Sequence, residues 1–84
     1  MKILSHSYRK RGGIEFVFAE FPNSKALLVP IKKYYFVKSV RWSAEDPPVT
    51  RQDLEKMELA VNDLMGTIDS YKQRIHPHSY LKKY

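Results

Sequence analysis

Three adjacent cations followed by two glycines, Arg9-Lys10-Arg11-Gly12-Gly13, are the residues of this chain best suited to do chemistry. The chemistry is electrostatic. An arginine fork meets phosphate or carboxylate in a bidentate fashion, and glycine lets a chain turn through positive φ without steric cost. On a hairpin tip such a run can straddle phosphates. The plainer reading is a solvated tip whose charge only keeps a strand edge from pairing. Lys32, Lys33, Lys38 and Arg41 enlarge the same cationic half and hold the binding reading level with it.

A second candidate is Lys32-Lys33-Tyr34-Tyr35-Phe36-Val37-Lys38, where charge and rings interleave. Binders of single-stranded nucleic acid need that mixture, because cations follow the backbone while rings stack on bases. Aromatic residues also favour strands for packing alone, which would place Tyr34 and Phe36 in a core and Tyr35 at its margin. The candidate surface for nucleic acid, or for an acidic protein partner, is therefore Arg9, Lys10, Arg11, Lys32, Lys33, Tyr35, Lys38 and Arg41. His76-Pro77-His78 has the look of a metal motif. Proline separates its imidazoles, however, and no cysteine or nearby acid completes a ligand set, so neither a metal nor a cofactor is expected.

Signs of catalysis are few. The sequence has no Gly-rich phosphate loop and no motif pairing a nucleophile with a base. Small ribonuclease toxins are also short and basic, but they usually place helices before the sheet, and this chain begins with strands. A non-enzymatic protein is expected.

The 84-residue chain carries a net charge of +6, unevenly placed. Residues 1–42 hold nine basic residues against Glu15 and Glu20, whereas residues 43–75 hold seven acidic against four basic. The first half should attract polyanions and the second should not. The chain has no cysteine for disulfides or thiolate zinc sites, no apolar run long enough to span a bilayer, and no signal-peptide pattern at Met1–His6. The expected location is the cytoplasm, without membrane attachment.

The elements that must position these residues follow from patterning. Ile3 to Tyr8, Ile14 to Phe21, Lys25 to Ile31 and Tyr34 to Trp42 read as strands, with turns at Arg9–Gly13, Phe21–Ser24 and Lys32-Lys33. Short connections favour an antiparallel meander. One face would gather Ile14, Phe16, Phe18, Leu27, Val29, Ile31, Phe36, Val40 and Trp42; the other would show Val17, Ala19, Phe21, Leu28, Tyr35 and Val37. The Pro-containing segment 43–49 links sheet to helix. Thr50 has the marks of an N-cap, with Asp53 completing a capping box and Val49 poised to pack on Leu54. From there one helix is expected over residues 50–75, stopped by Pro77. Its stripe of Leu54, Met57, Val61, Leu64, Ile68, Tyr71 and Ile75 fits either its own sheet or the seam of a homodimer.

The expected fold is thus α+β: a four-stranded antiparallel meander, open or curled in an SH3-like manner, followed by one long C-terminal helix. Residues 1–75 form a single small domain (1–42 basic sheet, 43–49 linker, 50–75 helix), and 76–84 a basic flexible tail. The order of sheet and helix resembles the architecture of small SH3-like nucleoid proteins, without a shared motif. The expected function is DNA or RNA binding, with a regulatory role, through the cationic sheet. The alternative is a protein-directed inhibitor or adaptor, of the kind a phage or other mobile element encodes, docking through its helix or through a spare apolar sheet face that includes Phe21 and Tyr35.

Overall fold

Ile14, Phe16 and Phe18 alternate with Glu15 and Val17, and the first three are buried while the other two are half-exposed. That alternation belongs to β2 (Ile14–Phe18), the second strand of the computed structural model, which describes residues 1–75. It is preceded by β1 (Ile3–Tyr8) and followed by β3 (Phe21–Ile31) and β4 (Tyr34–Arg41). All neighbours pair antiparallel in the order β1-β2-β3-β4, the expected meander, and no ladder among the described residues joins β1 to β4. The basic tip folds as expected, with Arg9 N–H donating to Gly13 O and Gly12 N–H to Arg9 O.

The register differs from the expected one at β3. The turn lies at Ala19-Glu20, so Phe18 faces Phe21; Pro22 to Lys25 then bulge opposite Val17, and pairing resumes at Phe16–Ala26 and Ile14–Leu28. The bulge sets which residues share a face, because a strand offset by one residue turns every side chain over. Phe21, Ala26 and Leu28 therefore lie with Phe16 in the core, and Leu27 and Val29 lie on the opposite face with Glu15. A second shift, between Leu27 and Leu28, sets Val37 opposite Leu28 and Val40 opposite Ala26, so both join the core side. Phe21 is only 3% exposed, which removes it from any spare apolar surface.

Asp46 holds the bulge in place. Its carboxylate accepts from Ser24 Oγ at 2.6 Å, from Asn23 N–H at 3.0 Å and from Asn23 Nδ2 at 3.0 Å, while Ser24 Oγ accepts from Ser43 N–H at 2.9 Å. Burial pushes the Asp46 carboxyl up, but the hydrogen bonds from Ser24 and Asn23 outweigh it and hold the group below its ordinary value. The linker is thus tied to the sheet by a buried charge that three donors satisfy.

The helix begins as the sequence indicates. Thr50 Oγ1 accepts from Asp53 N–H at 3.1 Å and Asp53 Oδ2 accepts from Thr50 N–H at 2.9 Å, the reciprocal pair of a capping box. The helical region is not continuous, however. The first helix, α1 (Arg51–Met65), ends at Gly66 in the left-handed conformation (φ 75°), and α2 (Ile68–Ile75) follows. The glycine takes the C-terminal position where positive φ is required, and its N–H returns to Asn62 O and Asp63 O. Met57 and Val61 of α1 close the core over Phe16, Phe18 and Leu28. Tyr71 of α2 is fully buried against Phe36, ring centroids 5.9 Å apart, and its hydroxyl donates to Glu58 Oε1 at 2.6 Å. Glu58 Oε2 accepts from Val37 N–H at 2.8 Å, so α1 also covers the edge of β4. None of these helices is long and apolar enough to cross a membrane. The readings made for His76-Pro77-His78, for the stop at Pro77 and for the 76–84 tail lie outside the described residues.

Candidate functional site

Gly13 brings the basic tip down onto β3. A Cβ built at this residue would stand 3.0 Å from Val29 Cγ1, 3.1 Å from Leu27 Cδ1 and 3.1 Å from Leu28 O, so only glycine permits so close an approach. Its φ of +87° independently favours glycine. Between the lowered tip and the strands lies a cleft of about 510 Å³. Leu27 and Val29 belong to its lining, with Arg9, Lys10 and Arg11 from the tip, Lys38 from β4 and Tyr8 from the end of β1. A smaller recess of about 150 Å³ adjoins it, bordered by Arg9, Glu15, Lys25, Leu27, Ser39 and Arg41.

Glu15 organises the arginines. Its Oε2 meets Arg9 Nη1 at 3.0 Å and Arg41 Nη2 at 2.9 Å, joining β4 to the hairpin tip across the sheet face. The carboxylate side chain is 11% exposed, whereas the two arginines remain 49% and 66% exposed. Burial raises the Glu15 pKa, but the Arg9 hydrogen bond and the charge and hydrogen bond of Arg41 prevail, and the carboxyl stays below its ordinary value. One negative charge therefore steadies two cations. Among the described residues Lys10, Arg11, Lys25 and Lys38 have no ion-pair partner, which leaves the face strongly positive.

Of the residues singled out from sequence, Arg9, Lys10, Arg11 and Lys38 meet at the cleft, and Arg41 joins them through Glu15. Lys32 and Lys33 do not. They form the β3–β4 turn and border a separate recess with Tyr34, Ser70 and Gln73, Lys32 standing at a φ of 60°. In a meander the first and third turns lie at the same end of the sheet, so both basic turns crowd one end while Glu20 and the Asp46 linker occupy the other. Tyr35 is the misplaced member. It packs against the core, and its backbone N–H is held by Asn62 Oδ1 at 2.8 Å.

The helical stripe divides at Gly66. Leu54, Met57 and Val61 pack on the sheet, Leu64 is 59% exposed, Ile68 is half-buried, Tyr71 turns onto Phe36, and Ile75 ends α2. The three-heptad line therefore does not continue as one seam. Sequence reasoning missed Glu15 as a bridge, Gly13 as a close-packing point, and Leu27 and Val29 as residues bordering the cleft. The one available signal was a carboxylate at an alternating position inside an aromatic strand.

Fold and site together define a small α+β sheet protein, covered by α1 on one face and carrying a cationic cleft on the other. The chain belongs to the YuzH family, described as "Uncharacterised protein YuzH", whose profile matches residues 2–76. No curated protein and no solved structure matches it.

Proposed function

We propose that this protein binds nucleic acid in a regulatory, non-enzymatic role through the face of its sheet that carries Glu15, Leu27 and Val29. The observation that carries the reading is the meeting of Arg9, Lys10 and Arg11 with Lys38 around one cleft, although the tip and Lys38 lie far apart in sequence. Cations gathered in this way release condensed counterions when they meet a phosphate backbone, and that release drives affinity. Glu15 supports the reading, because it holds Arg9 and Arg41 in place before a ligand arrives. Less ordering is then left for the binding step. The helical half, where acidic residues outnumber basic ones, serves as support.

The test is binding of labelled DNA and RNA as salt is varied. Affinity should fall steeply as salt rises from ~50 mM to ~200 mM. The triple change Arg9→Ala, Lys10→Ala, Arg11→Ala should weaken binding and flatten the salt dependence, because three phosphate contacts are lost. No binding to any nucleic acid at ~50 mM salt, where counterion release is most favourable, would refute the reading.

A further inference from the structure

We infer that the ligand of this cleft is a single strand rather than a duplex, with an unpaired base seated on Leu27 and Val29 and its flanking phosphates on Arg11, Lys10 and Lys38. The inference rests on the nucleic-acid reading and narrows it. It begins from the make-up of the lining, which combines cations with two half-buried aliphatic side chains at one depression.

A duplex keeps its bases paired and stacked, and presents charged phosphates and polar groove edges. It would satisfy the cations and leave Leu27 and Val29 facing nothing apolar. A single strand carries both parts together, since each phosphate is followed by a base with a free π-face. Shape agrees with composition. A ribbon that reads a duplex groove has to enter it, whereas here the hairpin tip lies down on Leu27 and Val29 and its cations border a hollow of about 510 Å³. That volume lies within the roughly 300–1,000 Å³ of sites that enclose one small unit.

The experiment uses the full chain and three probes of equal length at ~50 mM salt: an oligothymidylate strand, an oligouridylate strand, and a DNA duplex. The first two arms distinguish DNA from RNA. Either strand should bind more tightly than the duplex by roughly tenfold, the scale of one stacked base. Val29→Thr, nearly equal in size, and Leu27→Ser should each weaken strand binding several-fold without altering its salt dependence. Circular dichroism would verify that each variant remains folded.

Duplex binding as tight as the strands, or Val29→Thr and Leu27→Ser both without effect, would overturn the single-strand assignment while leaving the nucleic-acid reading standing. Failure of all three probes, with a polyglutamate peptide bound instead, would overturn both and assign the cleft to an acidic protein.

Discussion

Asn62 Oδ1 accepts from the Tyr35 N–H at 2.8 Å while Asn62 Nδ2 donates to the Tyr35 carbonyl at 2.9 Å, so one helical side chain does for β4 what a further strand would do. The same amide donates to Glu58 O at 2.8 Å and accepts from Thr67 Oγ1 at 2.7 Å. Asn62 is fully buried, so its removal would leave several polar groups without partners in a dry place. Each such group costs ~1–3 kcal/mol. Asn62→Ala should therefore lower unfolding stability by about 2–4 kcal/mol in urea titrations. It should also promote self-association with rising concentration, because the β4 edge loses part of its cover. A loss below ~1 kcal/mol would show that the edge does not depend on this residue.

Acid should act through three carboxylates. Asp46, Glu15 and Asp53 are all held below their ordinary values of 3.8, 4.5 and 3.8. For Asp53 the backbone and side-chain hydrogen bonds of Thr50 are the main cause. A carboxyl whose pKa is depressed on folding binds fewer protons in the folded state, so its contribution is fully present above the unfolded pKa. That contribution is lost as pH falls through the lower, folded value. Stability should hold from neutral pH to about 5 and decline below that. In Asp46→Asn the acid limb should be shallower and the neutral-pH stability lower. An acid limb identical to that of the parent protein would remove Asp46 from the explanation.

Much of the fold was legible in the sequence, and the limit has a physical cause. The strands, the basic tip and the Thr50–Asp53 cap follow from local chemistry, and local chemistry was enough to find them. The β3 face was not, because it depends on a bulge that Asp46 ties down from more than twenty residues away. Once that parity was reversed, Leu27 and Val29 left the face they were expected to share with Phe16 and came to border the cleft, while Phe21 joined Phe16 in the core. The helix break at Gly66 was visible only as a weak residue within a regular stripe. What turns the chain there is the fit of Tyr71 against Phe36 and Glu58, a tertiary matter. The cations were found because charge needs no register to be counted; their meeting at one cleft needed the hairpin tip laid on β3.

Tyr71 should give the protein an alkaline limit. Burial first, then the hydrogen bond and charge of Glu58, push its phenol well above the ordinary value of 10.0. Above pH 10 an unfolded tyrosine ionises while the folded one keeps its proton, so the folded state binds more protons and stability falls as pH rises. Tyr71→Phe should lessen that alkaline loss. At neutral pH it should cost about 1.5–3 kcal/mol, the scale of a hydrogen bond to a charged group. Equal slopes for the two proteins above pH 10 would contradict the assignment.

Gly12 and Gly13 allow the cleft to be probed without touching a charge. Both have positive φ, 90° and 87°, so alanine at either should cost about 1–2 kcal/mol through the backbone alone. They differ in surroundings: nothing lies within 4 Å of a Cβ at Gly12, whereas a Cβ at Gly13 meets Val29, Leu27 and the Leu28 carbonyl at 3.0–3.1 Å. The side chains can yield by a rotamer shift, but the strand carbonyl cannot without moving β3. Gly13→Ala should therefore lift the tip away from Leu27 and Val29 and cost more stability than Gly12→Ala. It should also weaken nucleic-acid binding several-fold, although every lysine and arginine is retained. Gly12→Ala should bind almost as the parent does, once each variant is measured well below its melting temperature. Equal binding by both variants would mean that the charges act as a loose cloud and that the shape of the cleft is incidental.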